Sequence, residues 1–211
     1  MLKEYIPNSM MHVMLLTVGE IIGEEGLNRI LDDAGLGAYR GNLPPNDDRL
    51  GVPGPDFAKI VGGVVAALGE EGARPVLEQV GRRGFQLTVE KSPALMGFMG
   101  LALKLLSKRK RLERVFELGA QSTNKIFGEN QRFYVSEEGL VFELFDCYWC
   151  KGLVSKGPIC FGEVGVDKEV AKWATGEEHD VREVLCRARG DDVCKFVISF
   201  EPKKTEGDSE G

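Results

Sequence analysis

Residues 183–199 read EVLCRARGDDVCKFVIS. They set Cys186 and Cys194 eight positions apart across Arg189-Gly190-Asp191, with Glu183 three residues before the first cysteine. The runs 181–188 and 192–200 have strand character, and the Gly-Asp turn joins them as a hairpin. A loop at 189–191 pairs 188 with 192, and so 186 with 194. Cross-strand partners have Cβ atoms about 4.5–5.5 Å apart. Two thiols at that spacing fit three arrangements: a disulfide, a pair of packed apolar thiols, or half of a tetrahedral zinc site.

Composition narrows the choice. The chain has 211 residues, 43% hydrophobic and 28% charged, which is ordinary for a globular protein large enough to bury a core. The net charge of −6 argues against an overall attraction to nucleic acid. No secretory signal is visible, and the longest apolar run, ALMGFMGLAL at 94–103, is too short to span a bilayer. The expected location is the cytoplasm. In a reducing compartment five cysteines, an odd number, read as ligands, reactive thiols or packed thiols rather than structural disulfides.

Upstream of the hairpin the texture changes. Residues 9–128 read as helical and 131–200 as mixed with strands. In the first helical region Leu15, Val18, Ile22, Leu27, Ile30 and Leu31 recur at helical spacing, and Gly35 is a stop signal. After a proline-rich loop, a helix starting near Pro55 carries Gly62, Gly63, Ala66, Ala67 and Gly69, with a break expected between Gly69 and Gly72. Such small residues admit close helix packing; they follow no strand, so a phosphate-binding loop is not supported. Ser92-Pro93 starts the next helix. Its first part is apolar nearly all round and is expected to be buried, with Met96, Phe98 and Met99 as core or pocket lining. Lys108–Arg111 reads as a solvated face.

Two strands are expected around Glu137–Gly139, then the loop CYWCKGLVSKGPIC ending at Cys160, then a helix stopped by Gly176. The predicted architecture is α+β: N-terminal helices packed on a C-terminal antiparallel sheet with one inserted helix. It forms a single domain over 1–200, followed by a disordered tail at 201–211.

A zinc held by Cys186 and Cys194 needs two more ligands. Glu183, Cys160, Cys147, Cys150 and His179 are the candidates. Spacing alone favours Cys147-x-x-Cys150 with Cys186 and Cys194. Glu183 joins only if the strand bulges or its long side chain wraps round the strand end, because residues three apart on a regular strand point to opposite faces.

Residues 147–200 resemble the 4-vinyl reductase domain family. The likeness rests on Cys160, then Glu183-x-x-Cys186, then Ala188-x-Gly190-Asp191-x-x-Cys194-x-Phe196. It covers roughly the last quarter of the chain and is only architectural before that. The resemblance implies a ligand-binding fold, shared at superfamily level with haem-dependent nitric-oxide sensors and vesicle-tethering subunits. It implies a homodimer, and a structural zinc on Cys160, Glu183, Cys186 and Cys194, which displaces the preference from spacing. Cys147 and Cys150 are an additional pair: alternate metal donors, redox thiols, or thiols packed beside Trp149.

The function expected is a cytosolic binding or sensor module for a small hydrophobic ligand: a hydrocarbon, an aromatic or a tetrapyrrole-like molecule. Phe98, Met99, Tyr148 and Trp149 are the candidate pocket wall. Four protein ligands leave the zinc no open position, so it clamps the hairpin to the Cys160 loop rather than activating water. Signalling would pass through a protein partner. The alternatives are a tetrapyrrole vinyl-reductase-related enzyme, for which no nucleotide fingerprint or acid–base pair is seen, an assembly or transport adaptor, and a thiol redox sensor.

Overall fold

The computed structural model describes residues 4–203, so most of the tail expected at 201–211 lies outside the described residues. The helical half opens with strand β1 (Tyr5–Pro7), α1 (Asn8–Ile22) and α2 (Glu24–Asp33). Strand β2 (Leu50–Pro53) follows and pairs antiparallel with β1. Next come α3 (Gly54–Lys91), α4 (Pro93–Leu103) and α5 (Lys108–Phe127). The C-terminal half contains β3 (Gln131–Val135), β4 (Leu140–Leu144), α6 (Phe161–Thr175), β5 (His179–Leu185) and β6 (Cys194–Pro202). Its sheet is antiparallel throughout, in the order β3-β4-β6-β5. The α+β class and the inserted helix are as the sequence predicts.

The breaks fall at glycines. The first helical region divides at Gly23 (φ 82°), and α3 kinks at Gly69 (φ 71°), inside the expected interval. Gly176 (φ 82°, ψ 5°) ends α6 in the left-handed conformation that only glycine adopts freely.

Helix α6 lies between α3 and the sheet and is the pivot of the core. Its contact with α3 is backbone on backbone. A Cβ at Gly81 would meet Gly162 O at 1.8 Å, and one at Gly165 would meet Glu78 O at 2.0 Å. The glycines singled out earlier in α3 play a lesser part, Gly62 against Leu153 and Gly63 against Ile30. One apolar cluster runs from α1 and α3 through α6 to the sheet, and all five cysteines belong to it.

The expected burial of α4 fails. The α4 segment is largely exposed, Phe98 at 71% and Leu101 at 66%, although Leu103 at its end joins the core. All-round apolarity signals burial only when neighbouring elements cover the helix, and α4 packs against little besides the end of α3. The solvated reading of Lys108–Arg111 holds: Lys108 pairs with Glu177, and Arg109 and Lys110 with Glu113. Among the described residues no helix is long and apolar enough to cross a membrane.

Candidate metal centre and apolar cavity

Three pieces of chain deliver the cysteines to one end of the sheet. Leu144 ends β4 opposite Cys194 at the start of β6, and the chain then turns through Cys147–Cys150. Cys160 caps the N-terminus of α6. Cys186 follows β5 and leads into a 3₁₀ turn at Arg187–Arg189 closed by Gly190 (φ 102°). Asp191 accepts the Cys186 N–H at 2.8 Å, and the Arg187 N–H points at Cys194 Sγ from 3.3 Å. Arg187 also donates to Phe145 O and Asp192 O, tying this turn to the chain after β4.

Of the two routes open to Glu183, the bulge is present. The β5–β6 register shifts between Glu183 and Leu185, from Glu183↔Phe196 to Leu185↔Lys195. Continued by one residue, the second register sets Cys186 opposite Cys194.

All five cysteines are buried free thiols. Cys160 Sγ lies 3.6 Å from Cys147 Sγ, 3.7 Å from Cys194 Sγ and 3.9 Å from Cys186 Sγ, and Cys150 Sγ lies 3.5 Å from Cys194 Sγ. Four sulfurs about 2.3 Å from a central ion form a tetrahedron with edges of about 3.8 Å. Among the described residues, two sets of four have all their ligand atoms within 4.8 Å of one another. One is Cys147, Cys150, Cys160 and Cys194; the other is Cys160, Glu183, Cys186 and Cys194. Both combine residues that the sequence puts forward as ligands, and the residues fit a metal in either arrangement. His179 does not join them: its Nδ1 meets Ser199 O and its Nε2 meets Thr175 Oγ1.

Glu183 carries the mark of a ligand-binding group. Its Oε2 accepts the Cys160 N–H at 2.8 Å, while its Oε1 is buried with no hydrogen-bond partner among the described residues. Burial, reinforced by Cys186, pushes this carboxyl up to about 9, and burial pushes the Cys147 thiol up to about 11. A cation in their midst would reverse both shifts by favouring the charged forms.

A cavity of about 280 Å³ adjoins the cysteine turn. It opens between α1 and the second half of α3; Phe57, Val80, Gly84, Phe85, Tyr148 and Trp149 form its apolar wall, and Ser9, Asp48, Thr88 and Lys91 contribute polar groups. Tyr148 and Trp149 both line it. Phe98 and Met99 line no part of this cavity, because α4 stands away from it. The Trp149 indole N–H donates to Glu163 Oε2 at 2.7 Å, and the Tyr148 hydroxyl to the same oxygen at 3.0 Å. Trp149 packs edge-on to Phe57, and its ring fills the space that a Cβ on Gly162 would need.

Sequence reasoning missed Glu163 and its neighbour Asp167. Both are buried, and Asp167 Oδ2 has no hydrogen-bond partner among the described residues. Burial holds Glu163 above the usual carboxylate range despite its two donors; burial, then the charge of Glu163, raises Asp167 well above it. The signal was available: two acids four apart, and so on one face, among the otherwise apolar first seven residues of the helix, 161–167.

These features define an α+β domain with the architecture of H-NOX proteins. An H-NOX protein from K. algicida superposes with a TM-score of 0.60 at 11% identity, over 95% of this chain and 98% of that one. One from S. oneidensis, solved in an Fe(II)NO ligation state, gives 0.58 at 13% identity over 94% and 100%. A structure concerned with haem distortion in the H-NOX family gives 0.55 at 19% over 95% and 98%. More particularly, residues 140–200 match the model of the 4-vinyl reductase domain, a small-molecule-binding fold. An uncharacterized protein of Methanocaldococcus jannaschii is 25% identical over 118 residues; the match spans 48% of this chain and 65%, just under two thirds, of that protein.

The haem named for an H-NOX relative finds no histidine here of the kind that holds haem in globins and peroxidases. The chain has two histidines. His179 is engaged at both ring nitrogens, His12 Nδ1 faces Pro44 O, and neither lines the cavity.

Proposed function

We propose that the protein is a binding or sensor module for a small apolar, aromatic-sized ligand, steadied by a structural zinc on Cys160, Glu183, Cys186 and Cys194. One observation carries this reading: Tyr148 and Trp149 line the cavity and belong to the turn whose ends, Cys147 and Cys150, lie in the cysteine cluster. A metal that fixes Cys160 and Cys194 would therefore brace the Cys147–Cys150 turn packed against their sulfurs, and with it one wall of the cavity.

Size selects among the ligands considered. A cavity of about 150 Å³ accommodates benzene, so about 280 Å³ suits one or two fused rings. A tetrapyrrole needs more room, which favours the hydrocarbon and aromatic classes. The zinc itself would supply no chemistry beyond cross-linking, since four protein ligands saturate it. Cys160, Cys186 and Cys194 would bind as thiolates and Glu183 as a carboxylate through Oε1, while the Arg187 N–H supports the charge on Cys194.

The reading includes a cytoplasmic single domain over 1–200 that acts as a homodimer and signals through a protein partner. Phe98, Leu101 and Leu105, all exposed, offer apolar surface to a second copy. Calorimetric titration with phenol, 2-naphthol and protoporphyrin tests the ligand class. Saturable binding of the first two and none of the third is expected. Binding of protoporphyrin alone would refute it.

A further inference from the structure

The two metal-binding sets overlap in Cys160 and Cys194 and differ in everything else. Cys147 and Cys150 complete one set, Glu183 and Cys186 the other, and the two completing pairs do not merge into a single group. Six donors with two held in common are what two four-coordinate ions require when a pair of sulfurs bridges them. We propose that the five cysteines and Glu183 hold two divalent, thiophilic metal ions of the zinc class, bridged by the thiolates of Cys160 and Cys194. Cys147 and Cys150 are terminal ligands of one ion, and Cys186 and Glu183 of the other. This rests on the metal-centre reading above and extends it from one ion to two.

Three features support the assignment. The shared sulfurs are 3.7 Å apart, and each has a near neighbour in the additional pair: Cys147 lies 3.6 Å from Cys160, and Cys150 lies 3.5 Å from Cys194. A single ion on the Glu183 side would leave Cys147 and Cys150 as two more buried thiols packed directly against its ligand sulfurs. A single ion on the all-cysteine side would leave the buried Glu183 Oε1 without a partner. Only the two-ion arrangement gives every donor in the cluster a metal to bind. Each ligating thiol gives up its proton when the metal binds.

The test is a count made on the intact chain. The protein is saturated with Zn²⁺ alone, desalted, and weighed by native mass spectrometry. Two zinc ions per chain are expected, and one each in Cys147→Ser/Cys150→Ser and in Glu183→Gln/Cys186→Ser. X-ray absorption on the wild-type protein is expected to show a metal–metal vector, on the order of 3.5 Å as in other two-metal sites. This readout does not depend on whether the variants fold. One ion per chain at saturation, or two without a metal–metal vector, overturns the bridged centre and leaves the single structural zinc standing. No bound metal overturns both.

Discussion

Cys160 Sγ lies 3.7 Å from Cys194 Sγ, although one caps α6 and the other opens β6, 34 residues later. This contact joins the helix that carries Glu163 to the last strand of the sheet. Both metal-binding sets depend on it.

Cys160→Ser and Cys194→Ser are therefore expected to abolish metal binding, while Cys147→Ser leaves the Glu183 set intact. Structural zinc supplies roughly 10–16 kcal/mol to folding in small peptides. Even a fraction of that would lower the melting temperature of Cys160→Ser by well over 10 °C at the rate of about 2–4 °C per kcal/mol for a chain of this size. Thermal unfolding with and without a chelator checks this. The wild type should fall toward the variant when chelated, and the variant should not respond.

Gly84→Leu should empty the cavity of ligand without harming the fold. Gly84 lines the cavity, and a Cβ built on it meets nothing within 4 Å. Leucine also has the better helix propensity, since glycine costs about 0.8–1.0 kcal/mol relative to alanine and leucine ranks just below alanine. The expected result is unchanged or higher stability with 2-naphthol binding weakened at least tenfold. Unaltered binding would place the ligand elsewhere.

Three residues earlier on α3 the outcome reverses. Gly81→Ala drives a methyl group into Gly162 O and Val166 N, both backbone atoms of α6. Helices that cannot yield must separate, and overpacking of this kind costs about 1–3 kcal/mol or more. Denaturant unfolding of Gly81→Ala beside Gly84→Ala is a matched comparison in one helix, with the loss confined to the first.

Asp167 makes stability fall as pH rises. Burial and Glu163 hold its folded carboxyl well above its usual range, whereas the unfolded chain ionises near about 3.9. Between those two values the folded state keeps a proton that the unfolded state has lost, so unfolding gains ground as the pH climbs. Asp167→Asn removes this effect. It should melt higher than wild type at pH 8, and the difference should close below pH 4. A gain that persisted at low pH would mean packing rather than protonation is responsible.

The final hairpin is the most legible part of the sequence. Turn residues and strand alternation are local signals, and they set Cys186 toward Cys194, although the expected three-residue turn at 189–191 is in the structure an eight-residue connection, 186–193, carrying a 3₁₀ turn at Arg187–Arg189. Glu183 is harder, because its place depends on a bulge of one residue that no local rule announces; the likeness to a known family points to it. Cys147 and Cys150 are legible as thiols but not as neighbours of Cys160, since that requires the docking of the β4 end on the α6 cap. The cavity is half legible. Tyr148 and Trp149 stand beside the cysteines in sequence, whereas Phe57, Gly84 and Phe85 reach the wall only through the packing of α3 on α1 and α6. The exposure of α4 escapes a sequence reading because an apolar composition says what a helix would bury, not whether anything is there to cover it.

Native mass spectrometry of the protein purified without added metal tests the central claim most directly. It reports bound metal and co-purifying organic mass together. The account predicts zinc in stoichiometric amount and, where the cavity retains its occupant, an apolar molecule of one or two rings. A chain carrying haem, or a chain without metal whose Cys147 and Cys150 are joined as a disulfide, would contradict it.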